Sequence, residues 1–123
     1  MTGVPLISIV DDDDSLRNSL DNLIRSVGFR AQGFPSAEAL LSSNQLHDTA
    51  CLILDVRLPG MNGLELQRRI VAANWRIPII FVTSHADGDT QARALKAGAV
   101  AYLYKPFRDE QLLNAIDAAL NHS

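Results

Sequence analysis

A second cysteine is missing from this sequence of 123 residues. Cys51 stands alone inside the apolar run ACLIL, so no internal disulfide can form and a small buried thiol is expected. No apolar run approaches the ~18 residues of a membrane span. The N-terminus lacks the pattern of a secretory signal. A surplus of positive charge is missing too. Eleven basic residues face 14 acidic ones for a net charge of −3, which leaves no basic stripe for nucleic acid. Low-complexity stretches, long linkers and internal repeats are absent. What remains is 47% hydrophobic and 20% charged, an ordinary globular balance that argues against disorder. A chain of this length can bury roughly two-thirds of its unfolded surface without a structural metal. The expectation is one soluble, cytoplasmic domain over residues 1–123, with no membrane contact and no direct nucleic acid binding.

What is present is alternation. Residues 6–10 form a short apolar run of strand length. Leu16, Leu20, Leu23, Ile24 and Val27 follow at helical spacing, with Gly28 where a helix ends. Residues 29–34 read as a weaker strand, and Ser36 is placed to cap a helix over AEALL. The run 50–54 ends at Asp55. Asn62 can cap a helix over 63–74, with Glu65 in the position of a capping box. Residues 77–82 and 100–104 read as the fourth and fifth strands. Residues 87–97 and 108–121 read as the last two helices. Unbroken apolar strands are covered on both faces. The fold class is therefore α/β: a (βα)5 doubly wound, flavodoxin-like arrangement, with a five-stranded parallel sheet between two helix layers.

In such folds the ligand site lies beyond the C-terminal ends of the strands. Strand one ends at Asp11 and Asp12, strand three at Asp55, strand four at Thr83 and Ser84, strand five at Lys105. Carboxylates gathered about 4 Å apart repel by about 4 kcal/mol at an effective dielectric near 20. Cations must offset that. Lys105 is one, and an all-oxygen ligand set of this charge suits Mg²⁺. Asp13 and Asp14 fall in the first turn of a helix, where negative charge complements the macrodipole. Asp55 beside a divalent cation and an ammonium can attack a phosphoryl group.

The stretches IVDDD (9–13), LILDVRLPGMNG (52–63), FVTSHAD (81–87) and KAGAVAYLYKPF (96–107) resemble the receiver domains of two-component response regulators. The TSHAD and KAGAV stretches look most like the FixJ-like group. The resemblance implies that Asp55 is the phosphoacceptor and that Asp11, Asp12, Asp55 and the Arg57 backbone carbonyl hold Mg²⁺. It implies Thr83 as the switch hydroxyl, Lys105 as the partner of the phosphoryl oxygens, and a cis peptide at Lys105–Pro106. Tyr102 takes the aromatic switch position. Tyr104, next to Lys105, is expected on the opposite face of the strand and without the switch role. The implied partners are a sensor histidine kinase and an output domain or protein controlling transcription. The output face is built from residues 87–97, strand five and the last helix, with a phosphorylation-dependent homodimer as a further expectation. Such a domain is a self-directed switch rather than a conventional enzyme.

The helix over 87–97 is expected to be loosely held, with Ala92, Leu95 and neighbouring alanines as its only core anchors. Arg57 either shields the site, contacts a partner, or is solvated. His85 reads as an exposed loop residue, His47 and His122 as surface residues, Trp75 as packing at the entry to strand four, and Ser84 as a backbone or solvent contact. A haloacid-dehalogenase-like phosphatase is disfavoured, because its D-x-D follows the first strand and position 57 here is Arg. A flavodoxin-like binder lacks its phosphate-cradling loop after strand one. A pseudo-receiver, a binding module without phosphotransfer, is the alternative that the intact acid–hydroxyl–lysine set opposes. The expectation is that no effector domain follows the last helix, which fits either a stand-alone regulator or a fragment of a longer one.

Overall fold

The computed structural model describes residues 3–121, so His122 lies outside the described residues. Among these, five strands alternate with five helices: β1 (Leu6–Val10), α1 (Asp14–Ser26), β2 (Arg30–Phe34), α2 (Ala37–Ser42), β3 (Thr49–Asp55), α3 (Gly63–Ala72), β4 (Ile79–Thr83), α4 (Gly88–Lys96), β5 (Ala101–Tyr104) and α5 (Asp109–Asn121). A 3₁₀ turn over Leu46–Asp48, absent from the sequence reading, leads into β3. All the strands pair in parallel, in the order β2-β1-β3-β4-β5.

Strand alternation divides the core. Cys51, Ile53, Ile80 and Val82 face one layer, where α1 supplies Leu20 and Ile24 and α5 supplies Leu112, Ile116 and Ala119. Leu52, Leu54, Ile79 and Phe81 face the other, covered by Ala37 and Leu40 of α2, Leu66 and Ile70 of α3 and Ala94 of α4. The expected three-layer sandwich is the one observed. Burial places the Cys51 thiol inside, as anticipated, and pushes its pKa up to about 12.

The helix starts follow their caps. Ser36 accepts from the Ala39 amide at 3.0 Å and Asn62 from the Glu65 amide at 2.9 Å. Each such cap contributes about 1 kcal/mol. Asp13 is itself the cap of α1, accepting from Leu16, while Asp14 occupies the first turn and pairs with Arg17 at 2.5 Å. The capping box at α3 closes only halfway, because the Glu65 carboxylate turns to Arg69 at 3.3 Å. Helix α1 ends at Gly28, whose φ of +100° lets Phe29 donate back to the Ile24 carbonyl at 3.3 Å.

Several expectations shift. Helix α3 stops at Ala72 rather than at position 74, because Asn74 turns left-handed with φ of +62° and closes the helix. Strand β4 begins at Ile79, two positions late: Pro78 has no amide to give the ladder, though its carbonyl accepts from Leu52 at 2.9 Å. Val27 is 47% exposed and adds little to the α1 stripe. Of the α4 anchors, a neighbouring alanine holds and the two named residues are corrected. Ala94 is fully buried, whereas Ala92 is exposed and Leu95 is 42% exposed. The inward stripe runs through Thr90, Gln91 and Ala94, so Leu95 is rotated about 100° off it. Trp75 packs edge-on against the otherwise exposed His47, with ring centroids 4.5 Å apart.

Candidate functional site

Register brings the strand ends together. Val10 pairs with Leu54, so the next residues, Asp11 and Asp55, emerge side by side between β1 and β3. This is where the strand order switches direction. Asp55 pairs with Val82 and Thr83 with Tyr104, which puts Thr83 and Lys105 one step further along the same edge.

The Lys105 ammonium donates to Asp11 Oδ2 at 2.9 Å and to Asp55 Oδ2 at 3.1 Å. The remaining oxygens are held by main chain: Asp11 Oδ1 accepts from the Asp13 amide at 2.9 Å and Asp55 Oδ1 from the Arg57 amide at 3.1 Å. Asp11 is fully buried, Asp55 nearly so, and Asp12 is exposed. One carboxylate oxygen from each of the three lies within 4.8 Å of the others, a donor set that fits a hard divalent cation. Burial, and next the Asp11 charge, hold the Asp55 carboxyl above its ordinary value against the hydrogen bond from Lys105. Burial opposes the Lys105 charge, but the hydrogen bonds to Asp11 and Asp55 outweigh it and keep the ammonium above its ordinary value.

Thr83 is buried, and its Oγ1 accepts from the His85 amide at 3.1 Å. His85 and Ser84 are exposed. Tyr102 is 9% exposed, with its ring centroid 6.0 Å from Phe81 and 5.5 Å from Tyr104. The two tyrosines therefore share a face of β5. Tyr104 is opposite Lys105, as alternation requires, but not opposite Tyr102. Its hydroxyl reaches Gln91 of α4. The Lys105–Pro106 peptide is cis.

Three supports escaped the sequence reading. A Cβ at Gly63 would collide with the Asp55 carbonyl, so only glycine lets α3 start against the backbone of Asp55 and Val56. The Asn-Gly pair at positions 62–63 was its one signal. Glu38 accepts from the Met61 amide at 2.9 Å and pins the loop after Asp55. Arg17 donates to the Asp11 carbonyl at 2.8 Å. Nothing in the sequence marks these last two contacts, which depend on the tertiary fold.

The fold and this edge define a response regulator receiver. The chain matches the response regulator receiver domain family over residues 7–117 and belongs to it. Receivers of this family are phosphorylation-dependent switches of two-component signalling. Within the family it is similar to the FixJ group. It is 50% identical over 114 residues to Nodulation protein W of Bradyrhizobium diazoefficiens, which covers 93% of this chain and 50% of that protein. It is 37% identical over 123 residues to the transcriptional regulatory protein FixJ of the same organism, covering 100% of this chain and 60% of FixJ. The crystal structure of FixJ-N superposes with a TM-score of 0.86 at 36% identity, covering 100% of this chain and 98% of that one. The chain spans about half the length of relatives such as Nodulation protein W. No described helix is long and apolar enough to cross a membrane.

Proposed function

We propose that the chain accepts a phosphoryl group on Asp55 from the phosphohistidine of a sensor histidine kinase. Mg²⁺ would be held by Asp11, Asp12, Asp55 and the Arg57 carbonyl, and would supply charge neutralisation at the phosphoryl oxygens. The P–N bond to histidine breaks, a P–O bond to Asp55 forms, and the imidazole leaves with the electron pair. The observation that carries this reading is the Lys105 ammonium bridging Asp11 and Asp55 beside the three-acid cluster. Lys105 is already within reach of the atom that would be modified. Thr83, on the neighbouring strand end, supplies the hydroxyl expected to turn from the His85 amide to the phosphoryl group. An apolar groove of about 380 Å³ between Leu16, Leu20 and Leu23 of α1 and Pro106–Phe107 opens beside Lys105 and suits a helical kinase surface.

The output face in this reading is α4–β5–α5, where Leu95 and Tyr104 expose apolar surface to an output domain, a partner or a second copy. Phosphorylation adds negative charge and acceptor oxygens at Asp55. Tyr102 couples that event to the face. Its ring already lies inside, so the switch consists of repacking against Thr83 and Tyr104 rather than an inward swing from solvent. Signalling then takes place in the cytoplasm and ends in transcription. Treatment with acetyl phosphate or phosphoramidate, with and without Mg²⁺, tests the reading by intact mass. Mg²⁺-dependent gain of one phosphoryl group, lost in Asp55→Asn, is expected. No labelling with either donor leaves a pseudo-receiver instead.

A further inference from the structure

Beyond the acidic site, a groove runs between α3 and α4. Its larger part, about 670 Å³, is lined by Arg57, Leu58, Asn62, Leu64, Thr90 and Arg93, with Asp12 at one edge. A smaller part, about 140 Å³, shares Leu64 and Arg93 and continues past Arg68. The lining thus carries three guanidiniums and one carboxylate, on a chain whose net charge is −3.

What sets these arginines apart is that three weakly held guanidiniums line one groove. Arg17, Arg25, Arg30 and Arg69 each sit within 3.3 Å of a carboxylate. Among the described residues, Arg57 and Arg68 have no such partner, as is also true of Arg76 outside the groove; Arg93 reaches only Asp89 at 3.9 Å in an exposed pair, and Arg108, also outside, reaches Glu110 at 3.6 Å. An exposed pair of that kind holds its arginine weakly. The first turns of α3 and α4 border the groove at Leu64 and Thr90, with their amides already capped by Asn62 and Asp87, so the arginines supply its positive charge. The floor is apolar, with Val56 and Leu58 each 9% exposed.

We propose that this groove binds an acidic peptide segment of a partner protein, its carboxylates on Arg57, Arg68 and Arg93 and an apolar side chain between them. Arginine suits this role because its planar fork grips carboxylates bidentately. The length matches as well. Helix α4 runs nine residues, about 13 Å, which an extended segment covers in about four residues. The inference goes beyond the phosphorylation reading and is measured without Mg²⁺ or phosphodonor, so the two fail separately.

The probe is a rhodamine-labelled hexapeptide of alternating glutamate and leucine, followed by fluorescence anisotropy. Its glutamine–leucine counterpart should bind at least about tenfold more weakly, and about 1 M salt should abolish the difference. The double variant Arg68→Ala/Arg93→Ala should weaken the acidic peptide about tenfold, while Arg76→Ala, outside the groove, should leave it unchanged. Arg93→Glu, which leaves two guanidiniums against two carboxylates, should abolish the preference for the acidic peptide. Equal binding of the acidic and neutral peptides overturns the proposal. So does an equal loss in Arg76→Ala, or full competition by malonate at matched carboxylate concentration, which would leave a small-anion site. The peptide comparison on the unaltered chain stands whether or not the variants fold.

Discussion

Helix α1 buries Leu20 and Ile24 against the sheet, with Leu16 and Leu23 half-covered beside them. Helix α4, of similar amphipathic design, buries Ala94 alone. Two fully covered aliphatic side chains contribute about 3–6 kcal/mol, whereas one methyl contributes about 1 kcal/mol. What α4 lacks in area it recovers through hydrogen bonds. The buried Gln67 amide of α3 donates to the Ala94 carbonyl at 3.0 Å, and the Tyr104 hydroxyl reaches Gln91. Each such bond contributes about 1 kcal/mol net. The difference teaches how one fold keeps a fixed wall and a movable one. Burial is lost only when the core opens, but a hydrogen bond can be exchanged for water or a partner.

The comparison breaks first at α1. Ile24→Ala should cost about 2–5 kcal/mol, read from urea unfolding. Hydrogen exchange in that variant should rise throughout the chain. Gln67→Ala is next, at about 1–2 kcal/mol, because a buried carbonyl keeps only its bond from the Ala99 amide. Here exchange should quicken in α4 while α1 stays protected; equal quickening in both would show that α4 is not separately held. Tyr104→Phe should cost about 0.5–1 kcal/mol and loosen the start of α4. Its effect should be measurable as faster exchange at Gln91 and Ala92.

The smallest effect sharpens the comparison from the site between the two helices. Burial holds Asp55 above the ordinary 3.8, so above that value the folded chain keeps a proton that the unfolded chain has released. Stability therefore falls as pH rises from 3.8 through the folded value. Asp55→Asn cannot ionise. Without divalent cations its urea midpoint should match the parent below pH 3.8 and exceed it slightly at neutral pH. A lower midpoint at neutral pH would mean that the Lys105 hydrogen bonds outweigh burial. Lys105 acts in the opposite window: its folded value is raised, so its contribution is complete below 10.5 and disappears as pH climbs through the folded value.

The sheet and its helix order were legible because four of the five strands are continuous apolar runs, β2 being the exception, and because Ser36 and Asn62 mark the starts of α2 and α3. Asp11, Asp55, Thr83 and Lys105 were legible for the same reason: each is the residue at or just past a strand end. The 2.0-residue period places Tyr102 and Tyr104 on one face, and only their separate contacts distinguish them. Within α4, Ala92 and Leu95 were misplaced because the inward stripe is polar and small, so hydrophobicity pointed to Leu95 instead of Thr90, Gln91 and Ala94. Glu38, Arg17 and the Gln67 bond were invisible because their partners are fixed by packing, not by sequence neighbours.

Consider, finally, how the register of Asp11, Asp55, Thr83 and Lys105 divides the chain. These residues come from four strands spanning positions 11 to 105, and no short fragment holds more than two. Cutting the polypeptide in the loop after Asp55 would separate the acids from the hydroxyl and the amine. Reactivity towards a phosphodonor would then return only when the two pieces reassemble the sheet, making the chemistry a direct gauge of whether the halves have found each other.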